Sequence, residues 1–359
     1  MEQRIVLHVD FDYFYAQCEE IRTPALKTKP VAVCMFSDRG GDSGAIATAN
    51  YMAREFGVKS GLSIQSAKQK LKNRTDSAFL PADFEYYSDM SEKSMNIIKK
   101  FADVFEYVGR DEAYLDVSEK VDQDFVKAAH IAQQIKNEVR KKTKLTCSVG
   151  ISPNKLLSKI ASGYKKPDGL TTITPDKISE FMGTLNLSDI HGIGKKTVQK
   201  LAEEGIETIS QAKSVDIFIL IKMFGRKAGT YIYNAIRGID DESVKIRAPT
   251  LQLSKITTLK EDSIDYTFLE KNLFELCEKL HISILKGNKM FRTVGIYLTQ
   301  SNLSSKTRSK MLRNPTLSLD ELKKVSSQLL KDALKDQSIL IRRLALKFLN
   351  YQIYKVKVI

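Results

Sequence analysis

Two pairs of acidic residues have the types and positions that phosphate chemistry requires. Asp10 and Asp12 close an apolar run that begins at Arg4, and Asp111 and Glu112 stand side by side much later in the chain. If both segments are neighbouring strands of one sheet, Asp10 meets Asp111 and Glu112 at one edge. Three carboxylates that close stay ionised only with a cation between them. The pattern therefore predicts a metal site.

Oxygen ligands of this kind favour Mg²⁺, which keeps several waters and completes its shell with substrate phosphates. Two such ions about 4 Å apart can activate an attacking 3′-hydroxyl and stabilise a leaving pyrophosphate. The chemistry then depends on positioning and charge neutralisation and needs no nucleophilic side chain. Either acidic pair alone is more often a turn or a solvated strand end. The two pairs together, each beside an apolar strand, favour a catalytic role.

The elements that must position these acids alternate between strands and helices. They are a strand at 4–10, a helix at 11–20, a glycine-rich turn at 37–44, helices at 45–56, 63–71 and 86–105, hairpin strands at 105–108 and 114–117, a helix at 125–142 and a strand at 145–151. This order predicts a ferredoxin-like βαββαβ sheet with residues 11 to about 80 inserted after its first strand.

The second half of the chain has a different character. Short helices joined by glycines are expected at 187–205, and 240–254 has the weak periodicity of a linker. Strand-like runs at 293–299 and 342–349 then alternate with helical runs at 268–285 and 319–335. A chain of 359 residues exceeds one hydrophobic core, so two to four domains are expected. The fold class predicted is α+β.

The composition is that of an ordinary globular protein, with 42% hydrophobic and 28% charged residues. No apolar run approaches the roughly 18 residues that span a bilayer, and the N-terminus lacks the order of a signal peptide. We therefore expect a cytoplasmic protein without a membrane partner. The four cysteines stand far apart without zinc-ligand spacing and are predicted to be reduced, buried thiols.

The net charge is +14, and it is unevenly distributed. Residues 251–359 contain 20 Lys or Arg against 10 Asp or Glu, an excess of ten positive charges. A polyanionic partner explains this, because basic side chains that contact phosphates release condensed counterions. A basic surface that serves only solubility explains the charge equally well.

Six stretches of the sequence resemble one family, the Y-family DNA polymerases, in the DinB (DNA polymerase IV-like) branch and its archaeal members. They lie in family order over nearly the whole chain, at 9–20 (VDFDYFYAQCEE), 44–58, 111–117 (DEAYLDV), 149–162, 165–169 (KKPDG) and 191–201. The resemblance implies a template-directed DNA polymerase that performs low-fidelity translesion synthesis without proofreading. Its partners would be primer–template DNA and a dNTP, and it would act as a monomer.

The resemblance also implies a multi-domain right-hand architecture. A ferredoxin-like βαββαβ palm would comprise 1–10 and 80–173, and small fingers would comprise 11–79. A helical thumb with a helix-hairpin-helix would occupy 174–240, a linker 241–253 and an α+β little finger 254–359.

The family's metal and sugar contacts fall on named positions of this chain. Asp10 and Asp111 match the carboxylates that bridge two Mg²⁺ ions, for which Mn²⁺ or Ca²⁺ can substitute. Glu112 matches the ligand of the catalytic ion, and Phe11 would contribute its backbone carbonyl. Tyr15 matches the steric gate, whose rigid ring occupies the space of a 2′-hydroxyl and so rejects ribonucleotides by shape.

The resemblance places the dNTP between two further groups of residues. The first group would bind the nucleotide itself and comprises Phe14, Thr48, Tyr51, Arg54 and Lys166. Tyr51 and Arg54 are three apart and share a helical face. Taken alone, Tyr51 is better interpreted as a core residue. The second group would line the template-base pocket and comprises Gly44, Ala45 and Ala47, whose small side chains leave the pocket loose and tolerant of damaged bases.

DNA would be held by two basic regions. Gly192 and Gly194, with Lys195 and Lys196, resemble a helix-hairpin-helix whose backbone N–H groups approach a phosphate. In the little finger, Lys306, Arg308 and Lys310 alternate, so a strand would place them on one face. Arg342 and Arg343 open a second such strand.

One departure from the family lies beside the metal ligands. The family has a small polar and then an aliphatic residue before Asp111, where this chain has Gly109 and Arg110. A guanidinium that points inward would compete with metal for the carboxylates, but we expect Arg110 to point away. A non-catalytic DNA-binding scaffold and a palm-type nucleotidyl cyclase are the alternative functions. The C-terminal YQIYKVKVI has no clear motif for a sliding clamp, so clamp binding is left open.

Overall fold

A computed structural model describes residues 4–246, 252–287, 289–335 and 338–349. The chain forms two compact units. The first comprises Met1–Cys34, Ile46–Leu62 and Ala67–Arg247, and the second comprises Met35–Ala45, Ser63–Ser66 and Ala248–Ile359. Part of the expected linker, 247–251, and the C-terminal segment considered for clamp binding lie outside the described residues.

The structure contains both strands and helices throughout. The strands are β1 (Val6–Phe11), β2 (Val31–Phe36), β3 (Gly44–Ala49), β4 (Ala78–Pro81), β5 (Val104–Tyr107), β6 (Glu112–Asp116), β7 (Cys147–Ser152), β8 (Leu170–Thr172), β9 (Gln252–Ser263), β10 (Phe291–Gln300), β11 (Ser305–Thr316) and β12 (Ile341–Leu349). The α-helices are α1 (Phe14–Arg22), α2 (Tyr51–Glu55), α3 (Ile64–Lys70), α4 (Phe84–Ile98), α5 (Phe125–Thr143), α6 (Lys155–Tyr164), α7 (Ile178–Gly183), α8 (Lys195–Ala202), α9 (Ile209–Ser214), α10 (Ile217–Phe224), α11 (Arg226–Ala235), α12 (Tyr266–Lys286) and α13 (Leu319–Leu334). None of the described helices is long and apolar enough to cross a membrane.

The first unit is built on a five-stranded sheet of order β5-β6-β1-β7-β8. Strand β1 lies antiparallel between β6 and β7, which is the order that a ferredoxin-like βαββαβ unit requires. Val6, Leu7 and Val9 are almost fully buried because this central strand is covered on both faces. The predicted sheet is therefore confirmed, and it brings Asp10 opposite Glu112.

Helix α5 shows how the sequence directs packing against this sheet. The Asp124 side chain caps its first turn by accepting from the backbone N–H groups of Val126 and Lys127. Its apolar face recurs at helical spacing, and Ala128, Ala132, Ile135 and Val139 are buried. The predicted helix at 125–142 is confirmed with nearly the expected bounds.

The helix expected at 45–56 is wrong over its first half. Gly44–Ala49 is strand β3, which joins β2 and β4 in a three-stranded sheet of order β3-β2-β4. Pairing with β2 and burial of Ile46 override the helix propensity of the alanines. The helix that follows begins only after Asn50, whose side chain accepts from the Ala53 backbone N–H at 3.0 Å.

The second unit contains a four-stranded antiparallel sheet of order β11-β10-β12-β9. Helices α12 and α13 cover one face, and their leucines pack with Val294, Ile296 and Leu298 in one core. The expected alternation of strands and helices beyond residue 254 is confirmed. All four cysteines of the chain are buried thiols.

Candidate active site

Strand register brings the predicted carboxylates to one place. Asp10 at the end of β1 is paired with Glu112 at the start of β6. The Phe11 backbone N–H donates to the Asp111 carbonyl at 2.8 Å, which fixes the hairpin turn against β1. Asp10 and Asp111 then line one cavity of about 220 Å³. The expected meeting of these acids at the sheet edge is confirmed.

Two lysines neutralise part of the acidic charge. Lys166 forms an ion pair with Asp10, and Lys159 of α6 forms one with Glu112. Asp111 has no such pair within the described part of the chain, and burial together with the charges of Asp10 and Glu112 raises its pKa. The site therefore holds one carboxyl whose charged form is disfavoured, and a cation beside it would favour that form.

Glu112 also has a buried histidine as a partner. His8 Nε2 lies 3.2 Å from Glu112 Oε2, and His8 Nδ1 lies 2.7 Å from the Ser162 hydroxyl. Burial lowers the pKa of His8. The hydrogen bond from His8, with that from Lys159, lowers the pKa of Glu112 to about 2.

The donor set suits a divalent cation. His8, Asp10 and Glu112 each offer a ligand atom, and the three atoms lie within 4.8 Å of one another. Asp111 is not among these three, but it lines the cavity beside Asp10. Carboxylate oxygens in this number fit a hard ion such as Mg²⁺.

Most of the residues expected to bind a nucleotide surround the same cavity. Besides Asp10 and Asp111, its lining contains Phe11, Phe14, Tyr15, Ala47, Thr48, Arg54 and Lys166, with Tyr13 and Ser60. Tyr15 is held by aromatic neighbours: its ring stacks on Tyr87 with centroids 4.6 Å apart, and Phe84 meets it edge-on at 5.8 Å. A ring fixed in this way is suited to steric discrimination.

Tyr51 lies beside this cavity without lining it. Its ring meets Tyr13 edge-on at 5.2 Å, and the Arg54 guanidinium carbon lies 4.9 Å from the ring centroid. The Tyr51 hydroxyl is buried and has no hydrogen-bond partner among the described residues. Burial raises the pKa of Tyr51 to about 12, so the hydroxyl is a neutral donor. An orphaned donor beside Arg54 fits an anionic ligand.

The three small residues expected around the template base are divided between two cavities. Ala47 lines the cavity of the acids. Gly44 and Ala45 instead line a cavity of about 860 Å³ in the second unit, together with Arg342 and Arg343. Gly44 has φ +141°, and a Cβ there would lie 2.2 Å from the Met35 carbonyl oxygen, so only glycine fits.

The predicted helix-hairpin-helix has open space beside the N-cap of α8. Gly194 is the N-cap of α8, and nothing lies within 4 Å of a Cβ built there. Lys195 and Lys196 are exposed beside it. Gly192 has φ +85°, and a Cβ there would lie 2.7 Å from Cε1 of Tyr231, whose hydroxyl donates to the His191 carbonyl.

The alternating basic residues of β11 share a face, as expected, but that face is turned toward the helices. Lys306, Arg308 and Lys310 are opposite the buried Leu298, Ile296 and Val294 on β10. Lys306 Nζ donates to the Ala333 carbonyl of α13 at 2.9 Å. Strand alternation predicts which residues share a face of the sheet, but it does not predict which face the helices cover.

The uncovered face of this sheet carries other groups. Arg343 and Lys347 alternate with the buried Leu344 and Leu346 on β12 and therefore point away from the helices. Arg343 is exposed. Arg342 is half-buried, and its Nε has no partner among the described residues.

Arg110 points away from the acids, as expected. Its Nε donates to the Ser88 hydroxyl at 3.1 Å, and its guanidinium carbon lies 5.6 Å from the Phe84 ring centroid. The reason differs from the expected strand alternation, because Arg110 precedes β6 in the hairpin turn. Arg110 does not pair with Asp10, Asp111 or Glu112.

Three families of known proteins match successive parts of the chain. The impB/mucB/samB family matches residues 9–163, the DNA polymerase-iota thumb domain matches 188–240, and the impB/mucB/samB C-terminal domain matches 251–353.

Individual relatives match almost the whole chain. DNA polymerase IV of Nitrosopumilus maritimus is 63% identical over 347 residues, covering 97% of this chain and 95% of the relative. DNA polymerase IV of Saccharolobus solfataricus is 35% identical, covering 97% and 96%.

Solved structures of similar proteins show the same fold. A chimera of the Y-family DNA polymerases Dbh and Dpo4 has a TM-score of 0.90 at 32% identity and covers 98% of this chain and all of that chain. An insertion ternary complex of Dbh DNA polymerase has a TM-score of 0.70 at the same identity and coverage.

Proposed function

The chain belongs to the Y family of DNA polymerases, in the DNA polymerase IV (DinB) branch, and we propose how its residues perform template-directed DNA synthesis. One observation carries the proposal. Acidic, basic and aromatic groups with separate roles in nucleotidyl transfer, including Asp10, Lys166 and Tyr15, surround a single cavity. The product would be a primer longer by one nucleotide, with pyrophosphate released.

Asp10, Asp111 and Glu112, with the Phe11 carbonyl, would hold the divalent cations, for which Mg²⁺ is the proposed species and Mn²⁺ or Ca²⁺ the substitutes. When bound, the ions would promote ionisation of the primer 3′-hydroxyl and neutralise charge on the leaving pyrophosphate. His8 and Lys159 fix the orientation of Glu112 by hydrogen bond and ion pair. The three carboxylates thus keep a defined geometry in which to receive the ions.

Arg54, Lys166 and the Tyr51 hydroxyl would bind the triphosphate. Arg54 offers a planar fork of donors, and Lys166 offers a point charge that is close to Asp10. The Tyr51 hydroxyl gains the hydrogen-bond acceptor that the described residues do not provide. These contacts fix the α-phosphate near the 3′-hydroxyl, and positioning of this kind is the main source of catalysis in phosphoryl transfer.

Fidelity and substrate choice follow from the shapes around the cavity. Tyr15, fixed by Tyr87 and Phe84, would occupy the space of a 2′-hydroxyl and exclude ribonucleotides. Ala47 presents a small surface to the nascent base pair, so mismatches and damaged template bases meet little steric resistance. Translesion synthesis follows from the looseness of this pocket.

Contacts with the DNA backbone would come from the thumb and little finger. The N-terminus of α8, with Lys195 and Lys196, suits a phosphate of the duplex. In the second unit, Arg343 and Lys347 on the uncovered face are better placed than Lys306. Such contacts are independent of sequence, which suits an enzyme that copies any template. We expect the protein to act as a monomer in the cytoplasm.

Primer extension tests the proposal. With Mg²⁺, the wild type should extend a primer on undamaged and abasic templates, and the double variant Asp111→Ala, Glu112→Ala should not. The matched control neutralises the exposed adjacent pair Glu203 and Glu204 and should retain activity. DNA binding without incorporation by the wild type would show a non-catalytic scaffold, and pyrophosphate release from a nucleotide without template and without primer extension would show a cyclase-like activity.

A further inference from the structure

The loop 165–169, which carries Lys166, is contacted by a buried lysine. This lysine does not line the cavity that contains Asp10 and Asp111. Lys136 of α5 is 7% exposed. Its ammonium, which has three N–H groups, lies within hydrogen-bond distance of four oxygens: the carbonyls of Asp168, of Cys147 at 3.1 Å and of Gly169 at 3.0 Å, and Asp168 Oδ1 at 2.9 Å. Three of these acceptors belong to the loop.

A buried ammonium at this position requires an explanation. Its helix neighbours on the buried face of α5, Ala132, Ile135 and Val139, are apolar. Transferring a charge from water into the interior is unfavourable unless partners compensate for it. An apolar side chain would be sufficient for packing in the core. The function of Lys136 therefore lies in the groups that its ammonium binds.

A buried carboxylate also holds the loop. Asp12 is fully buried and accepts from the Thr146 hydroxyl at 2.8 Å, the Ser148 hydroxyl at 2.7 Å and the Asp168 backbone N–H at 2.9 Å. Arg140, one turn after Lys136, forms an ion pair with the Asp168 side chain. Asp168 is therefore fixed through its N–H, its carbonyl and both carboxylate oxygens.

Fixing Asp168 also fixes Lys166, two residues earlier in the same short loop. The Lys166 ammonium must reach a particular point near Asp10, and small displacements of a charged group weaken its contact with phosphate strongly. We propose that Lys136 is a positioning residue for the incoming nucleotide, which acts through Asp168 to hold Lys166 at the triphosphate. This inference rests on the proposed role of Lys166 in the polymerase reaction.

A double-mutant cycle tests the inference. Single-turnover incorporation is measured against dNTP concentration for the wild type, Lys136→Met, Lys166→Ala and the double variant. Lys136→Met should raise the apparent Kd of the dNTP about tenfold, which is about 1.4 kcal/mol, with a smaller effect on the maximal rate. In the Lys166→Ala background the same change should have almost no further effect, because the group it positions is absent.

The matched control is Lys141→Met, an exposed lysine of the same helix, which should leave dNTP affinity unchanged. If Lys136→Met does not fold, Asp168→Asn in the same cycle tests the other end of the contact. Additive losses in the double variant would overturn the inference alone. An unaltered dNTP affinity in Lys166→Ala would overturn the proposed role of Lys166 and the inference with it.

Discussion

The Arg54 guanidinium lies against the ring of Tyr51, with its carbon 4.9 Å from the ring centroid, while the buried Tyr51 hydroxyl beside it is without a hydrogen-bond partner among the described residues. The two residues are three apart in α2 and share a face. A bound anion would pair with the cation and would accept a hydrogen bond from the orphaned hydroxyl.

We expect Tyr51→Phe to weaken dNTP binding without destabilising the protein. A buried hydroxyl that makes no hydrogen bond costs about 1–3 kcal/mol, so its removal should leave the Tm unchanged or raise it. The same change removes one contact with the triphosphate and should raise the KM for dNTP several-fold. Steady-state incorporation and thermal unfolding without nucleotide check the two effects. A lower Tm would show that the hydroxyl has a structural partner.

We expect Asp111→Asn to stabilise the protein at neutral pH in the absence of metal. The folded-state pKa of Asp111 is raised, so its ionised form opposes folding at pH values above that pKa. The stability gained by Asp111→Asn should therefore be present at pH 7, where about 1 kcal/mol would raise the Tm by about 2–4 °C. It should vanish as the pH falls below about 4, the ordinary pKa of an aspartate.

Divalent cations provide the control for this prediction. Mg²⁺ should raise the Tm of the wild type and not that of Asp111→Asn, because the cation removes the same repulsion between carboxylates. The pKa shift of Glu112 has the opposite sign to that of Asp111, so ionised Glu112 stabilises the fold. Since its folded-state pKa is about 2, its contribution to stability is present above its ordinary pKa and is lost between about pH 4.5 and 2.

We expect Tyr15→Ala to admit ribonucleotides. Tyr87 stacks on the Tyr15 ring and Phe84 meets it edge-on, so both hold the ring in place. Removing the ring therefore leaves open space in the cavity. The ratio of kcat/KM for dNTP over rNTP should fall by at least about a hundredfold, which is about 2.8 kcal/mol. Tyr15→Phe keeps the ring and should keep the discrimination. Equal discrimination in all three proteins would remove Tyr15 from the role of steric gate.

We expect Gly192→Ala to be costly and Gly194→Ala to be mild. Gly192 has φ +85°, where a side chain costs about 1–2 kcal/mol, and its Cβ would lie 2.7 Å from Tyr231 Cε1. Gly194 has an ordinary φ and open space around its Cβ position. Thermal unfolding should separate the two variants by several degrees. Similar Tm values would mean that the hairpin relaxes around the methyl group that the Gly192→Ala change adds.

We expect Arg343→Ala and Lys306→Ala to differ in their effect on DNA binding. Arg343 lies on the uncovered face of the sheet, so its loss should reduce the slope of log K against log salt by about one. Lys306 satisfies the Ala333 carbonyl, so its loss should cost about 0.5–1.5 kcal/mol of stability and leave the slope almost unchanged. Fluorescence anisotropy over a salt series, beside thermal unfolding, measures both. The reverse pattern would place the DNA on the face of Lys306.

The catalytic sheet is predictable from the sequence because its signals are local. Val6, Leu7 and Val9 form an apolar run that ends at an acid, and the face of α5 repeats with helical spacing. Strand β3 is not predictable in this way, because its alanines favour a helix and the deciding interaction is pairing with β2. Non-local pairing leaves no periodic signal.

The same limit separates the predicted site residues from those that were missed. Motif resemblance supplies Asp10, Asp111 and Glu112. No spacing rule connects His8 or Lys159 with Glu112, because His8 meets it through the pairing of β1 with β6 and Lys159 through the packing of α6 on the sheet. Lys136 has the helical position of a core residue and the chemistry of a surface residue. Only the folded loop at 165–169 explains that conflict.

Strand β1 is the middle strand of its sheet although it comes first in the chain. Its Asp10 pairs with Glu112 on one side and Ser148 on the other, so both partners are synthesised much later. At about 5–20 residues per second, the apolar β1 segment leaves the ribosome on the order of ten seconds before β7 is made. The nascent chain must therefore keep this segment from aggregating until then, and fragments that end before Cys147 cannot complete the sheet.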